Sequence, residues 1–356
     1  MPKVTFLLPH FRPSGGVRHI MEVAAGLSAF GWDVSVLCVG TPSRWLPAAD
    51  VSNLRLLDWW PGAAAATSRV SYETGSLRAF RPGPGEVVVT YGDAENELFA
   101  GRYLRDSVNV MIVLDWLAFD PKRQLSYLKQ GTWDAILCST DFLRGKLAGE
   151  GISAYTVGAG VDRAQFHRVK APLLGRVVIG SQYSPVPNKG WPDVLSVAEA
   201  AARLLGKEVE VYSYGPSPAP DLSRLPRGVF SIHALDPGPV DFSAIYSACD
   251  AWLCTSASEG YGFPSLEAMS CGVPVLTYAN GGHSEFLRDG VNGYAVPVGA
   301  VEEMAARVRD VALDPVLAAR LSSEAEATAA ALSWPAAASR ADAALRTVLR
   351  SRGLLS

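Results

Sequence analysis

Two series of short segments rich in Val, Ile and Leu alternate with amphipathic helical stretches in this chain, and no other feature constrains its fold as much. The first series begins at Val4 to Leu8 (VTFLL). A loop follows, then a helical stretch in which Val17, Ile20, Met21, Ala24, Leu27 and Phe30 share one side, and past Gly31 the segment Asp33 to Val39 (DVSVLCV). Further strands are expected at Glu86 to Thr90, Val108 to Leu114 and Ala135 to Cys138, with a helix beginning at Asp141. Buried strands joined by helices belong in a parallel sheet covered on both faces. The second series starts at Val177 (VVIG) and continues at Glu208 to Tyr212, Val229 to His233, Ala251 to Cys254 and Val273 to Thr277. Helices are expected near Trp191 to Leu205 and Val301 to Val311. The fold class is therefore α/β, with two Rossmann-like domains.

A chain of 356 residues exceeds what one hydrophobic core serves, in line with two domains. The first is expected over 1–168, ending in the exit segment VGAGVDRAQFHR, and the second over 175–333. Residues 334–356 form an amphipathic helix expected to pack back toward the first domain. The stretch from Pro42 to Pro84, with its Pro, Gly and Ala clusters, reads as long loops with one or two helices. Hydrophobic content of 49% with 19% charged residues describes a globular chain. A net charge of −3 leaves no footprint for nucleic acid. No apolar run reaches membrane-span length and no export signal is read at the N-terminus, so the expected location is cytoplasmic, with peripheral membrane contact left open. The five cysteines read as buried thiols of a reducing compartment, and no His/Cys spacing suggests zinc.

The stretch Ser256 to Val275 (SASEGYGFPSLEAMSCGVPV) carries the most chemistry. It reads as a strand end, a glycine-bearing loop and a short helix with Pro264 in its first turn and Gly272 just past its end. The backbone N–H groups of Phe263, Ser265 and Leu266 are expected to point out of the helix start as an anion site. Glu259 lies on the loop before that site and Glu267 in the first turn after it. A phosphate-bearing ligand there would have a hydroxyl-binding carboxylate on either side, and sugar nucleotides are such ligands.

Other constellations admit two readings each. Ser14-Gly15-Gly16, between a first strand and a first helix, lets backbone amides approach a phosphate, or is a turn that starts the helix. Lys189, in SQYSPVPNKGW, puts an ammonium on a diphosphate or is a solvated lysine. Its loop follows the first strand of the second domain, at the sheet edge where open α/β sheets bind ligands. Gly215-Pro216 shapes a base pocket or is a plain loop. Glu285 follows Gly281-Gly282 as a ligand contact or as a helix-start acid favoured by the dipole. Asp115 ends the strongest apolar strand, as a cleft carboxylate or as a cap. His10 and His283 are polar contacts by position only.

Together these residues resemble a retaining glycosyltransferase of the GT-B type, glycosyltransferase family 4. The likeness runs through most of the chain, strongest from Ile245 to Val298 and weakest from Thr41 to Arg81. Its signature is a pair of glutamates separated by seven residues, matched by Glu259 and Glu267. Gly15-Gly16, VGAGVDRAQF, Lys189-Gly190 and GGHSEFLRDGVNGYAVP recur in family order. The resemblance implies two domains facing across a cleft, with the acceptor held by the first and a UDP-, GDP- or dTDP-type sugar by the second. It implies that Glu267 binds ribose hydroxyls. Glu259 would contact the transferred sugar, aided by amides of Gly260, Tyr261, Gly262 and Phe263. Lys189 and the Gly16 amide would neutralise the diphosphate, with Ser181, Gly215, Ser265 and Leu266 completing the donor site. Lys189, Glu259 and Asp115 are the catalytic candidates; no metal or other cofactor is implied, and a monomer or homodimer is expected.

Two departures stand out. Many relatives carry an Arg shortly before that Lys, where this chain has Ser181-Gln182, and Arg12 and Arg18 are candidate replacements. The segment VLDWLAFDP has Leu and Asp where many relatives have a His. A nucleotide-sugar 2-epimerase of the same fold and a non-catalytic two-domain ligand binder are the alternative readings.

Overall fold

A computed structural model of the chain describes residues 1–9, 14–38, 70–74, 80–91, 106–116, 125–126, 128–129, 133–170, 176–215, 220–221, 225–235 and 242–356. Two units emerge: residues 1–160 together with 334–356, and residues 161–333.

The first unit holds a parallel sheet of strands β1 (Lys3–Leu8), β2 (Asp33–Cys38), β3 (Val70–Thr74), β4 (Val87–Thr90), β5 (Val108–Val113), β6 (Ala135–Cys138) and β7 (Tyr155–Thr156). Their spatial order is β3-β2-β1-β4-β5-β6-β7. β1 is central, pairing with β2 in the register Val4↔Val34 and with β4 in the register Val4↔Val87. A strand hydrogen-bonded on both sides and covered on both faces has no wet face, which is why VTFLL lacks polar alternation.

Helix α1 (Gly15–Ala29) is capped by Ser14, whose hydroxyl accepts from the Val17 amide at 3.2 Å. It buries Val17, Ile20, Met21, Val23, Ala24 and Leu27 against the sheet. Helix α2 (Asp141–Gly149) is capped in the same way by Thr140.

The second unit holds β8 (Val177–Gln182), β9 (Val209–Gly215), β10 (Val229–Leu235), β11 (Ala251–Cys254), β12 (Val275–Tyr278) and β13 (Gly293–Val296). These are parallel throughout, in the order β10-β9-β8-β11-β12-β13. Its helices are α3 (Trp191–Leu205), α4 (Phe242–Ser247), α5 (Phe263–Ser270), α6 (Val301–Leu313) and α7 (Pro315–Ala331). In each sheet the strand order reverses once, between β1 and β4 and between β8 and β11. Ligands of such sheets bind beyond the carboxyl ends of the strands flanking the reversal.

The last helix, α8 (Trp334–Ser351), belongs to the first unit and packs along α1. It buries Trp334, Ala338, Ala341, Leu345 and Val348, and small alanines let the two helices approach closely. Polar ties fix its register. The Trp32 indole N–H and the Arg346 guanidinium both donate to Asp342 at 2.6 Å, and Arg340 donates to the Val157 carbonyl.

Several elements differ from expectation. β3 lies in the stretch read as loops and helices, the rest of which falls outside the described residues. β7, β13, α4 and α7 were not anticipated. Gly281-Gly282 leads into a single 3-10 turn, Gly282–Glu285, and not into an α-helix. The unit boundary falls at 160/161, within the exit segment, because residues 161–168 pack into the second unit. There the Phe166 ring meets Phe242 and Tyr246, its carbonyl accepts from Ser270, and Ser243 accepts from the His167 amide.

Candidate active site

The reversal between β8 and β11 sets the loop after each strand side by side. The β8 loop closes in a 3-10 turn, Pro187–Lys189, before Gly190 and Pro192 start α3. The β11 loop carries Glu259 into α5. Asn188 straps the two together: its carbonyl accepts from the Ala257 amide at 2.9 Å and its side-chain amide donates to the Ser258 carbonyl at 3.1 Å. On the other side, Glu259 exchanges backbone hydrogen bonds with the loop after β12, to the Asn280 carbonyl and from the Gly282 amide. Thus three loops leaving three adjacent strands are tied at one edge.

This tying brings Lys189 Nζ to 2.7 Å from Glu259 Oε1. Burial pushes the Glu259 carboxyl up. The Lys189 ammonium and hydrogen bonds from Lys189 and Ser256 outweigh that, so it lies below its ordinary value. Glu259 is therefore an ionised acceptor at neutral pH, suited to receive hydrogen bonds from hydroxyls and not to give a proton. Ser181, Gln182, Lys189, Ser256, Glu259 and Ser265 are among the residues lining a pocket at this edge.

Behind the pocket stands His283, which the sequence singled out by position only. Its Nδ1 lies 2.8 Å from Asn280 Oδ1 and its Nε2 2.8 Å from Ser265 Oγ. The Asn280 amide nitrogen donates to the Ser256 carbonyl, so Oδ1 is its acceptor and the His283 proton sits on Nδ1. Nε2 must then accept from the Ser265 hydroxyl. Burial lowers the His283 pKa to about 4, keeping this tautomer at neutral pH. The imidazole packs directly on Gly262, whose φ of 94° and missing Cβ admit both the turn and the ring.

Helix α5 starts without a side-chain cap, as an anion site requires. The expected set of outward amides is corrected, however. Ser265 and Leu266 N–H both donate to the Gly262 carbonyl, at 3.1 and 3.2 Å, because that carbonyl is the first acceptor of the helix.

Glu267 points inward from the first turns of α5 and is 8% exposed. The Tyr246 hydroxyl on α4 donates to its Oε2 at 2.6 Å, and the Tyr214 hydroxyl lies 2.8 Å from that of Tyr246. Sequence reading missed both tyrosines. The only signal was the place of Tyr214, one residue before Gly215 at the end of β9.

In the first unit, Gly15 and Gly16 open α1 at the carboxyl edge of β1. The open side of Gly16 faces the Tyr91 hydroxyl, where a Cβ would collide. Tyr91 follows β4 across the reversal. Burial, with the Asp115 charge adding, raises its pKa to about 12. Asp115 is half-buried and accepts from the Trp116 amide at 2.8 Å. The structure thus brings Gly16, Tyr91 and Asp115 to one sheet edge, with Tyr91 absent from the sequence reading. Arg18 lies 3.9 Å from Glu22 on its own helix. His10 and Arg12 lie outside the described residues, and Gly215 is the last described residue before 216–219.

Among the described residues, no group of three or more His, Cys, Asp and Glu is placed to hold a metal ion, and no helix is long and apolar enough to cross a membrane.

Comparison with known proteins adds a family match over part of the chain and a fold. Residues 228–328 match the model of glycosyl transferases group 1. Over 97 residues the chain is 35% identical to the D-inositol 3-phosphate glycosyltransferase of Actinosynnema mirum, covering 27% of this chain and 23% of that one. It is 31% identical over 110 residues to the GtfA subunit of a UDP-N-acetylglucosamine–peptide N-acetylglucosaminyltransferase of Streptococcus gordonii, covering 30% and 21%. These matches span about a quarter of the length of the curated relatives.

Solved structures match over nearly the whole chain. Sucrose-phosphate synthase of Thermosynechococcus elongatus gives a TM-score of 0.72 at 15% identity, over 99% of this chain and 100% of that one. Anabaena Alr3699/HepE in complex with UDP-glucose gives 0.73 at 16%, over 97% and 99%. The chain therefore has the GT-B fold, and its residues 228–328 carry the pattern of glycosyl transferases group 1.

Proposed function

We propose that this chain is a retaining glycosyltransferase of family 4. It moves a sugar from a nucleotide-diphosphate sugar to the hydroxyl of an acceptor: a glycan, a natural product or a lipid-linked sugar. The observation that carries the reading is the Lys189–Glu259 pair at the β8/β11 reversal, with Glu267 on the adjoining helix.

Breaking the bond between sugar and diphosphate leaves negative charge on a phosphate oxygen. An ammonium already fixed in the pocket stabilises that charge without reorganising in the transition state. Lys189 takes this part. The α5 dipole and the Gly16 amide join it on the family resemblance, and no metal is invoked. Glu259, ionised and held by Lys189, accepts hydrogen bonds from hydroxyls of the transferred sugar. Glu267 takes the ribose. The leaving phosphate oxygen itself accepts the acceptor's proton, so no protein nucleophile is assigned. Residues 161–333 are the donor half and residues 1–160 with 334–356 the acceptor half, where Asp115 is the candidate to meet the acceptor hydroxyl. The location proposed is the cytoplasm, as monomer or homodimer.

The test is the anomeric configuration of the product, read from proton coupling constants by NMR. Retention supports the reading and inversion overturns it. Release of nucleotide that requires an acceptor separates transfer from epimerisation.

A further inference from the structure

Resting on that donor-site reading, a proton ledger among three side chains assigns a role to a residue outside the glutamate pair. The Tyr246 hydroxyl has one proton, and Glu267 Oε2 at 2.6 Å is a carboxylate oxygen that only accepts. The proton is committed there. The 2.8 Å contact between the tyrosines therefore runs one way, with Tyr214 donating and Tyr246 accepting. The result is a directed chain from Tyr214, half-buried at the carboxyl end of β9, through Tyr246 to Glu267.

Packing fixes this chain in place. The Tyr246 ring is fully buried, 4.6 Å from the Trp252 ring centroid and edge-on to Phe166 at 6.1 Å. Tyr214 stacks on Trp252 at 5.9 Å and meets Phe242 edge-on at 5.1 Å. Burial and the neighbouring Glu267 charge push ionisation of the Tyr246 phenol far up, so it stays a donor at any working pH. The three residues come from β9, α4 and α5, so this geometry is built by the fold and not by local sequence.

We propose that Tyr246 is the positioning residue of the ribose contact: its hydroxyl, oriented by Tyr214, fixes the Glu267 carboxylate toward the 2′,3′-diol of the nucleotide. Tyr246→Phe removes only the hydroxyl and keeps the ring that packs on Trp252. Its signature is a loss of discrimination between nucleotides with and without that diol, beyond any general weakening of binding.

Isothermal titration with UDP, GDP and ADP, each beside its 2′,3′-dideoxy counterpart, reads this out. In the wild type, the ribo form of the accepted nucleotide binds tighter than its dideoxy form. Tyr246→Phe and Glu267→Gln are each expected to shrink that ratio about tenfold, as for a lost hydrogen bond to a charged group. Affinity for the dideoxy form should change less than about twofold. Tyr214→Phe, at a half-buried position, is expected to shrink the ratio about threefold, and it carries the test if Tyr246→Phe does not fold. A merely structural tyrosine would weaken both forms equally. A ratio kept in both tyrosine variants but lost in Glu267→Gln overturns the positioning role. A wild type that binds none of the six, or that does not prefer the ribo form, overturns this role; if dTDP is not bound either, the donor-site reading falls with it.

Discussion

Lys189 and Glu259 stand 2.7 Å apart, on loops that leave the adjacent strands β8 and β11 and are strapped together by Asn188. Seventy residues of sequence separate them, and the strand order closes the gap. The pair gives the pocket one fixed cation and one fixed anion.

Lys189→Ala removes the cation and leaves Glu259 without it. Transfer should fall at least about a hundredfold, the scale for losing one electrostatic contact to a developing anion. Stability should fall by only about 1 kcal/mol, because Lys189 is a third exposed and water screens the pair. Steady-state kinetics beside chemical denaturation checks both, and an active variant would remove Lys189 from the mechanism.

Asn188→Ala cuts the side-chain strap while its backbone carbonyl still holds Ala257. We expect kcat/KM for the donor to drop about fivefold to tenfold, the cost of one neutral hydrogen bond that positions the loop. The melting temperature should barely move. A large fall in melting temperature with unchanged kinetics would show the strap to be structural only.

Gly16→Ala drives a methyl group into the Tyr91 hydroxyl and should cost about 1–3 kcal/mol, as overpacking does. The double variant Gly16→Ala, Tyr91→Ala makes room and separates two roles for the glycine. Stability regained with transfer still lost would place Gly16 at the diphosphate. If both return, Gly16 serves only the packing of Tyr91.

Acid should destabilise the protein through its buried histidines. Unfolded, His19 and His283 protonate near 6.5; folded, burial lowers them to about 3 and about 4. The unfolded chain then binds more protons as pH falls, so stability is full above about pH 6.5 and is lost progressively toward pH 4. His283 alone accounts for about 3 kcal/mol of that loss. Denaturation midpoints between pH 7.5 and 4 should flatten in part in His283→Asn, and an unchanged slope would contradict the assignment.

The fold was legible where buried strands are mainly apolar and broken by a single polar residue, as in VTFLL and VNVMIV. It was obscure where they are short or lie at a sheet edge. β3 (VSYET) is an edge strand of mixed polarity, β13 (GYAV) is an edge strand of only four residues that starts on a glycine, and α7 is so rich in alanine that its buried side barely differs from its exposed one. The donor-site candidates Lys189, Glu259 and Glu267 were legible because motifs with fixed spacing carry them. Tyr91, Tyr246 and the His283 tautomer were not, since each depends on a partner from another element that only the strand order brings near. The outward amides at Ser265 and Leu266 failed for a local reason: the Gly262 carbonyl was there to take both.

Donor binding that depends on Lys189 and Glu267 is the consequence on which the proposed function rests. Titration calorimetry of UDP-, GDP-, ADP- and dTDP-sugars into the wild type and into Lys189→Ala and Glu267→Ala tests it. We predict that at least one donor binds the wild type with Kd below about 1 mM, and that each substitution weakens it at least about tenfold. A wild type that binds none of them, or variants that bind as tightly as the wild type, would contradict it.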